Sequence, residues 1–351
     1  MSEVLFSITE NGVATITLNR PKAINSLNYQ MIVSIKSKLI QWEDDPAIRI
    51  VILQGAGEKG FCAGGDIKTL YQSKESEAAF KQSIQFFQEE YKTDQLVANF
   101  PKPILACLDG IVMGGGIGLS QGASHRIVTE RTKWAMPEMN IGFFPDVGAA
   151  YFLNKAPGQI GRYLALTAKV LKASDVIYAN SADAFIPSES LNSLFELINK
   201  TDWHQDENPA AALDKIIHNF KREPEHTGKL ASIQLEIDKH FAHSTVEEII
   251  ESLETDKSDF SLQTMKTLQS KSPVSLKVTL RQLIEGEMKS LRDCLDTDLT
   301  LAANFLRSED FYEGVRSVVI DKDQNPQYNY KQLSEVSSMM VDSFFSTHSD
   351  L

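Results

Sequence analysis

Two glycine-rich segments, each preceded by a strand pattern and followed by a helix pattern, constrain the fold of this chain more than any other feature. Apolar runs occur at 48–54 (IRIVILQ) and 104–110 (ILACLDG), and the glycine-rich segments follow at 61–67 (FCAGGDI) and 113–118 (MGGGIG). The same order of strand, glycine loop and helix start thus occurs twice, although the two copies are not closely identical in sequence. The repetition predicts an α/β protein with layered sheets that are buried by helices, rather than a plain β-sandwich.

The N-terminal residues predict a hairpin and a helix. Strand-type runs at 4–9 and 13–19 are separated by the dipeptide Asn11-Gly12, which is a strong hairpin signal. From residue 28 to residue 42 the apolar positions recur at helical spacing, and Asn28 can cap the first turn. A longer helix is predicted over 76–98.

Strand signals fade after about residue 150, and helical patterns dominate the rest of the chain. One predicted helix opens with a capping box at 244–247 (STVE). The sequence therefore predicts an α/β core over residues 1–170 and a mainly helical C-terminal region over residues 171–351 that packs on this core.

Composition and charge exclude several classes of function. A net charge of −12 disfavours a nucleic-acid surface, although a few lysines and backbone amides could still hold one anionic ligand. Cys62, Cys107 and Cys294 lie far apart, so neither a disulfide framework nor a metal site is expected. No apolar run is long enough to span a membrane, and the first residues lack a signal-peptide pattern. We therefore expect a cytoplasmic protein without nucleic-acid or membrane partners, although a mature organellar form, already trimmed of its leader, would have the same features.

The glycine-rich segments could bind a ligand through the main chain. The first is, by itself, more often a tight turn between strand and helix. The second has four glycines within five residues, and each glycine in a helix costs up to about 1 kcal/mol relative to alanine. Amides from two such loops could stabilise an oxyanion, which forms when a thioester carbonyl is attacked or when an enolate develops beside it. Neither segment has the glycine order of a P-loop or of a dinucleotide-binding loop.

Acidic residues supply the candidates for acid–base chemistry. Glu138 and Asp146 lie in a mostly apolar, turn-rich segment, where burial raises the pKa of a carboxyl group toward the range useful for a general base. Carboxylates that merely cap helices would give the same pattern. Glu90 lies among aromatic residues of the predicted helix over 76–98, where most acids are solvated. No triad can be drawn around His125, so a serine or cysteine nucleophile is disfavoured.

Together and in this order, the segments resemble the crotonase (enoyl-CoA hydratase/isomerase) superfamily, whose members bind acyl-CoA and hold the thioester oxygen between two backbone amides. Residues 20–27 (RPKAINSL) are similar to its CoA-adenine segment. The resemblance implies a crotonase-like spiral of repeated ββα units, with an oxyanion hole formed by the amides of Gly65 and Gly115. Hydratases of the superfamily typically carry a second glutamate where this chain has Gly118.

The motifs at 135–138 (AMPE), 141–148 (IGFFPDVG) and 310–316 (DFYEGVR) are similar to those of the 3-hydroxyisobutyryl-CoA hydrolases of this superfamily. This resemblance implies that Glu138 and Asp146 are the catalytic acids and that Glu90, with Gly115, contacts the substrate. The implied reaction is hydrolysis of a short 3-hydroxyacyl-CoA thioester, 3-hydroxyisobutyryl-CoA of valine degradation. Coenzyme A is then part of the substrate, no separate cofactor or metal is expected, and assembly into a homo-oligomer is compatible with the family.

Two other functions stay open from the sequence. A hydratase or isomerase of the same superfamily would use Glu138 alone on an enolate. A non-catalytic acyl-CoA-binding protein would keep the glycine loops, but the presence of Glu138 and Asp146 disfavours it. The sequence also leaves open whether Glu138 activates water or attacks the thioester itself. The family usually has proline, a basic residue and tryptophan where this chain has residues 326–328 (PQY). Because of this difference, the sequence leaves open which acyl group the substrate carries.

Overall fold

The computed structural model describes residues 2–347, and contacts group them into two compact units. Unit 1 takes in the chain up to Gly65, then Lys92–Trp134 and Leu171–Lys229. Unit 2 takes in Asp66–Tyr91, Ala135–Val170 and the chain from Leu230 onward. Each unit is thus built from separate stretches of sequence. The division into a core and a C-terminal region at residue 170 stays a prediction.

Nine strands form two sheets in the described residues. The strands are Val4–Ile8 (β1), Val13–Leu18 (β2), Ile50–Gly55 (β3), Gly60–Cys62 (β4), Ile104–Leu108 (β5), Ile111–Met113 (β6), His125–Val128 (β7), Lys133–Ala135 (β8) and Ala184–Phe185 (β9). The larger sheet has the order β1-β2-β3-β5-β7-β9, and the smaller has the order β4-β6-β8. Strands β1 and β2 are antiparallel, whereas β2, β3, β5, β7 and β9 pair in parallel.

Helices connect the strands and make up most of the chain after β8. The α-helices are Tyr29–Glu43 (α1), Ile67–Tyr71 (α2), Glu77–Ala98 (α3), Gly115–Gln121 (α4), Ala149–Leu153 (α5), Ile160–Thr167 (α6), Ala173–Tyr178 (α7), Leu191–Lys200 (α8), Pro209–Phe220 (α9), Leu230–Phe241 (α10), Val246–Asp256 (α11), Asp259–Gln269 (α12), Pro273–Gly286 (α13), Leu291–Phe305 (α14), Glu309–Val315 (α15) and Ser338–Phe344 (α16). The predicted α/β class with a helical C-terminal region is confirmed.

The start of unit 1 follows the sequence pattern closely. Strands β1 and β2 form the predicted hairpin, and Gly12 has a φ of 90°, which a glycine adopts at little cost. The Asn28 side chain accepts a hydrogen bond from the Met31 N–H and caps α1. The buried residues of α1 are those of the predicted stripe: Met31, Ile32, Ile35, Leu39 and Trp42.

One face of the larger sheet is covered by α8 and α9. The contact between sheet and helices is an apolar cluster, fully or nearly fully buried. Its residues come from the strands, from the position after β9, from the two helices and from the turn between them: Val13, Ile50, Ile52, Leu105, Cys107, Ile127, Ala184, Ile186, Leu191, Leu194, Ile198, Trp203, Leu213 and Ile217. Parallel strands buried in this way read as continuous apolar runs. This explains why β3 and β5 were recognisable in the sequence.

Unit 2 is mainly helical and has an aromatic core. Phe143 packs against Phe87, Phe305 and Phe311, with ring centroids 5.3–5.9 Å apart. Helix α11 begins with a capping box formed by Thr245 and Glu248, one residue later than predicted. In the part of the chain that the structure describes, no helix is both long enough and apolar enough to cross a membrane.

Candidate active site

The two glycine-rich segments lie next to each other in unit 1. Strands β4 and β6, which precede them, pair in parallel. Gly64 has a φ of 100°, and a Cβ atom on it would lie 3.2 Å from the Met113 carbonyl oxygen and 3.6 Å from the Gly115 nitrogen. Only glycine combines this backbone conformation with such a close approach at little cost. The structure therefore brings together the loops that carry Gly65 and Gly115.

Hydrogen bonds from the segment at 20–27 hold the first glycine loop. The Leu27 N–H donates to the Gly64 carbonyl over 2.8 Å, and the Ala63 N–H donates to the Ile24 carbonyl over 2.9 Å. The buried Asn25 side chain donates to the Ala56 and Gly60 carbonyls. The segment that resembles a CoA-adenine site thus supports the loop of Gly65.

The second glycine loop opens helix α4. Gly115 is the first helical residue, so its N–H has no acceptor within the helix. A Cβ atom on Gly116 would lie 2.6 Å from the Cys62 Cβ, which explains why the helix is glycine-rich on the side of β4. Cys62 is a buried free thiol, as are Cys107 and Cys294. The helix presents amide groups rather than side chains at its start.

Glu138 lies in unit 2, at the start of a short 3₁₀ turn, Glu138–Ile141. Its side chain is buried, with 8% of the residue exposed, and its Oε2 has no hydrogen-bond partner among the described residues. Burial, followed by the negative charge of Asp146, raises the pKa of Glu138 well above the usual range. A carboxyl group with a raised pKa is a stronger base in its ionised form than an ordinary glutamate, which suits a general base.

Asp146 acts on Glu138 through its negative charge, so the protonation of one acid depends on that of the other. It is 5% exposed, and its Oδ2 accepts a hydrogen bond of 2.6 Å from the Tyr91 hydroxyl. Burial raises the pKa of Asp146 to about 6, although the bond from Tyr91 acts in the opposite direction. Since two neighbouring carboxylates resist double ionisation, the pair releases its protons in two steps. The structure thus brings together the two predicted acids.

Tyr91 and Asp298 are site residues that sequence reasoning missed. Burial, followed by the charge of Asp146, raises the pKa of Tyr91 well above its usual value. Asp298 is fully buried, and burial also raises its pKa, with the charge of Asp146 adding to the effect. A signal for Asp298 was present, because it lies between Leu295 and Ala302 on the buried stripe of α14, where an acid is unexpected.

Glu90 lies on α3, next to Tyr91 in the sequence. The structure buries it, with only 2% exposed, so Glu90 differs from the acids that are usually solvated on such a helix. Burial of a carboxyl group costs free energy, which favourable contacts of that group or its role in function must offset. Its contact with substrate stays a prediction.

The downstream motif at 310–316 supports the turn that carries Glu138. A Cβ atom on Gly142 would lie 2.3 Å from the Asp310 carbonyl oxygen, and a Cβ atom on Gly314 would lie 2.2 Å from the Ile141 carbonyl carbon. Neither position has room for a side chain. Asp310 is buried and accepts hydrogen bonds from the Ser272 hydroxyl, at 2.6 Å, and the Asn329 N–H, at 2.8 Å. The motif therefore has a structural role at the acid site.

Comparisons with known proteins show the family of this chain. The profile of the enoyl-CoA hydratase/isomerase family matches residues 13–345. The mitochondrial 3-hydroxyisobutyryl-CoA hydrolase of Xenopus tropicalis is 43% identical over 347 residues, which cover 98% of this chain and 90% of the relative. The mitochondrial hydrolase of the same name from Homo sapiens is 42% identical over 332 residues, or 94% and 85% of the two chains. A solved structure of a carnitinyl-CoA dehydratase from Mycobacterium thermoresistibile has a TM-score of 0.91 at 33% identity, covering 99% and 98%.

The relatives correct one expectation and confirm another. Their names place them in mitochondria, which contradicts the predicted cytoplasmic location. The prediction failed because buried free thiols fit any reducing compartment equally well. The resemblance read from the glycine loops and the acid motifs is confirmed by a family match over most of the chain and by relatives well above 30% identity. The chain belongs to the enoyl-CoA hydratase/isomerase family.

Proposed function

We propose that this chain hydrolyses the thioester bond of 3-hydroxyisobutyryl-CoA to the free hydroxy acid and CoA. The observation that carries the proposal is the buried pair of Glu138 and Asp146, in which one carboxyl oxygen of Glu138 has no partner among the described residues. The activity is the one that the frog and human relatives carry in their names. Their identity of 42–43% over nearly the whole chain supports the transfer.

The amides of Gly65 and Gly115 polarise the thioester carbonyl in this proposal. Support comes from the adjacency of their loops and from the position of Gly115 at the start of α4. Backbone N–H groups suit this role, because they are rigid and develop no charge of their own while the carbonyl oxygen becomes negative. Removal of one such donor typically costs about 10²–10³ in kcat in enzymes that use an oxyanion hole.

Glu138 supplies the catalytic carboxylate by one of two routes. As a base, it takes a proton from water while the water oxygen bonds to the thioester carbon, and the C–S bond then breaks as CoA leaves as a thiolate. As a nucleophile, its oxygen displaces CoA to give an anhydride that water opens. Either route needs the ionised form of Glu138. Its raised pKa makes that carboxylate more basic, which favours proton abstraction.

Asp146 and Glu90 complete the proposed site. Asp146, held by the Tyr91 hydroxyl, orients Glu138 or the attacking water through its coupling to Glu138. Glu90 accepts a hydrogen bond from the 3-hydroxyl group of the substrate, a role consistent with a buried carboxylate next to Tyr91 in the sequence. Coenzyme A enters as part of the substrate, and no separate cofactor takes part.

A second candidate function is the hydration or dehydration of a CoA ester without C–S cleavage. The similarity to a solved carnitinyl-CoA dehydratase favours it. Against it stands Gly118, which lies on α4 where hydratases of the superfamily typically place a second glutamate. A single catalytic glutamate leaves the two-carboxylate arrangement for adding water to a double bond incomplete.

The cellular setting follows from the same relatives. Valine degradation produces 3-hydroxyisobutyryl-CoA, so we place the chain in that pathway, in the mitochondrion like the relatives named above. Assembly into a homo-oligomer is part of the proposal as well.

The decisive experiment measures thiol release and enoyl absorbance in parallel. We expect the purified protein to release CoA from 3-hydroxyisobutyryl-CoA, with 3-hydroxypropionyl-CoA and crotonyl-CoA as comparison substrates. Glu138→Gln should lower the rate by about 10²–10⁴ while CoA binding and the unfolding transition are retained. A change of enoyl absorbance without free thiol would support the dehydratase instead. Binding of acyl-CoA with no turnover of any substrate would support a binding protein.

A further inference from the structure

We propose that Asp298, together with Gln282, is a positioning residue that holds residues 145–148 in the conformation that places the Asp146 carboxylate on the Tyr91 hydroxyl. The inference rests on the proposed function, because it takes Asp146 as part of a hydrolytic site. It assigns a function to two buried polar residues on α13 and α14 that sequence motifs do not single out.

Three hydrogen bonds bracket the segment that carries Asp146. The Gln282 side-chain N–H donates to the Pro145 carbonyl over 2.9 Å and to Oδ1 of Asp298 over 2.7 Å. Oδ2 of Asp298 accepts from the Gly148 N–H over 2.8 Å. One bond therefore holds the residue before Asp146 and another holds the residue two positions after it, and Asp298 and Gln282 also hold each other.

The bracketed segment has a backbone that needs such support. Val147 has a φ of 52° and Gly148 a φ of 79°, so two consecutive residues are left-handed. A β-branched residue in this region is a genuine outlier, and such residues cost about 1–3 kcal/mol each. Strain of this kind persists only when the surrounding structure fixes the conformation. The bonds on either side of Val147 come from Asp298 and Gln282, which identifies these residues as the source of that support.

The choice of an acid at position 298 also needs an explanation beyond packing. Burial raises the pKa of Asp298, and the nearby charge of Asp146 raises it further, so a carboxyl group here is costly. Its two oxygens, however, each accept one N–H, from Gly148 and from Gln282. An asparagine would offer one oxygen and would turn its NH₂ group toward another donor. Only an acid satisfies both contacts without moving the segment.

The test compares Asp298→Asn and Gln282→Leu with the double variant and with Asp296→Asn as the matched control. Asp296 lies on the same helix, α14, but its side chain is 73% exposed. We expect each single variant at the bracket to lower kcat for 3-hydroxyisobutyryl-CoA by about 10–100-fold, since small misplacements of a catalytic group have effects of this size. KM should change by less than about threefold, because the substrate contacts are retained. The control should keep wild-type kcat.

The double variant gives the sharper result, because both residues act on one segment. Its loss in kcat should be close to that of the worse single variant rather than the product of the two. Unchanged kcat in both single variants, a multiplicative double variant, or an increase in KM at constant kcat would overturn the proposal. Thermal unfolding of each variant shows whether it is folded at the assay temperature, and Gln282→Leu keeps the test open if Asp298→Asn does not fold.

Glu138→Gln, assayed beside these variants, separates two kinds of failure. If Glu138→Gln loses hydrolysis and the bracket variants do not, the positioning role is wrong and the proposed function stands. If the wild-type protein releases no thiol, or Glu138→Gln keeps full activity, the proposed function itself is wrong.

Discussion

The Tyr91 hydroxyl donates a 2.6 Å hydrogen bond to Oδ2 of Asp146, and both side chains are buried. The bond stabilises the ionised form of Asp146 against the effect of burial, which raises the pKa of this carboxyl group to about 6. Glu138 is coupled to Asp146, so a proton on either acid affects the other. Tyr91 thereby influences the protonation of the whole pair, although it lies 55 residues from Asp146 in the sequence.

Tyr91→Phe should move the acid limb of the pH–rate profile to lower pH. The hydrogen bond lowers the pKa of Asp146, so its loss raises that pKa and keeps Asp146 protonated to higher pH. The negative charge of Asp146 raises the pKa of Glu138, so Glu138, whose ionised form either route needs, then ionises at lower pH. A bond to a charged group is worth about 1.5–3 kcal/mol, which is about one to two units in the pKa of Asp146, so we expect the limb to shift by about one pH unit or less. The measurement is kcat/KM for thiol release between pH 5 and pH 9. Tyr29→Phe, at a position 39% exposed, is the control, and an unmoved limb in Tyr91→Phe would contradict the assignment.

Asp146→Asn should gain stability over the wild-type protein as the pH rises. The pKa of Asp146 is raised in the folded protein to about 6 from its ordinary value of 3.8, so the folded state binds more protons than the unfolded state between these values. Stability from this residue is therefore present below about pH 4 and is lost as the pH rises toward 6. A shift of this size corresponds to about 3 kcal/mol.

Urea denaturation of both proteins at pH 4 and pH 8 measures this effect. The quantity of interest is the difference in unfolding free energy between Asp146→Asn and wild type, because titrating groups that do not interact with Asp146 cancel in it. We expect that difference to move in favour of Asp146→Asn by about 1–3 kcal/mol between the two pH values. Glu309→Gln, an exposed acid of the same unit, serves as the control and should show no such trend. A constant difference across pH would show that Asp146 ionises normally in the folded protein.

Sequence patterns predicted correctly those features that depend on residues close together in the chain. The hairpin at Asn11-Gly12 and the buried stripe of α1 follow from turn chemistry and from helical spacing, both of which act over a few residues. Burial of Glu138 followed in the same way from its apolar, turn-rich surroundings. Where neighbouring residues offered equivalent choices, as with Ser244 and Thr245 at the start of α11, the sequence could not distinguish them.

Contacts between distant segments were the part that the sequence could not provide. The hydrogen bond from Gly148 to Asp298 joins residues 150 positions apart, and no repeat or spacing links the two. Burial of Glu90 is a similar case. Helical spacing predicts a buried face from its apolar residues, so it could not show that an acid on α3 is buried as well. The acid motif therefore identified Glu138 and Asp146, while the residues that hold them required the structure.

Gly64→Ala should impair both stability and catalysis, whereas Gly12→Ala should impair stability alone. Both glycines have a φ near 90–100°, so alanine is strained at either position by a comparable amount, about 1 kcal/mol or more. At Gly64 the added Cβ would also press on the Met113 carbonyl at 3.2 Å and displace the loop of Gly115. At Gly12 the nearest atoms are Cγ and Cβ of Arg49, at 2.8 and 3.2 Å, and they lie outside both glycine loops.

Thermal unfolding and thiol release distinguish these two glycine variants. We expect similar decreases in the unfolding free energy, with kcat reduced by about tenfold or more in Gly64→Ala only, since an oxyanion donor displaced from its position loses most of its effect. Equal kcat in the two variants would mean that the adjacency of the glycine loops has no part in catalysis.

Glu90→Gln should reduce the preference for substrates that carry a 3-hydroxyl group. A carboxylate accepts a hydrogen bond from that hydroxyl more strongly than an amide does, by about 1–2 kcal/mol, so kcat/KM for 3-hydroxyisobutyryl-CoA should fall by about 5–30-fold. Isobutyryl-CoA lacks the hydroxyl, and its slower hydrolysis should stay within about twofold of wild type. The ratio of the two values of kcat/KM is the measurement, because general damage to the site lowers both and leaves the ratio unchanged. Glu89→Gln, at the preceding and less buried position of α3, is the matched control. Equal losses on both substrates would assign Glu90 to the support of Tyr91 and Asp146 rather than to recognition of the hydroxyl group.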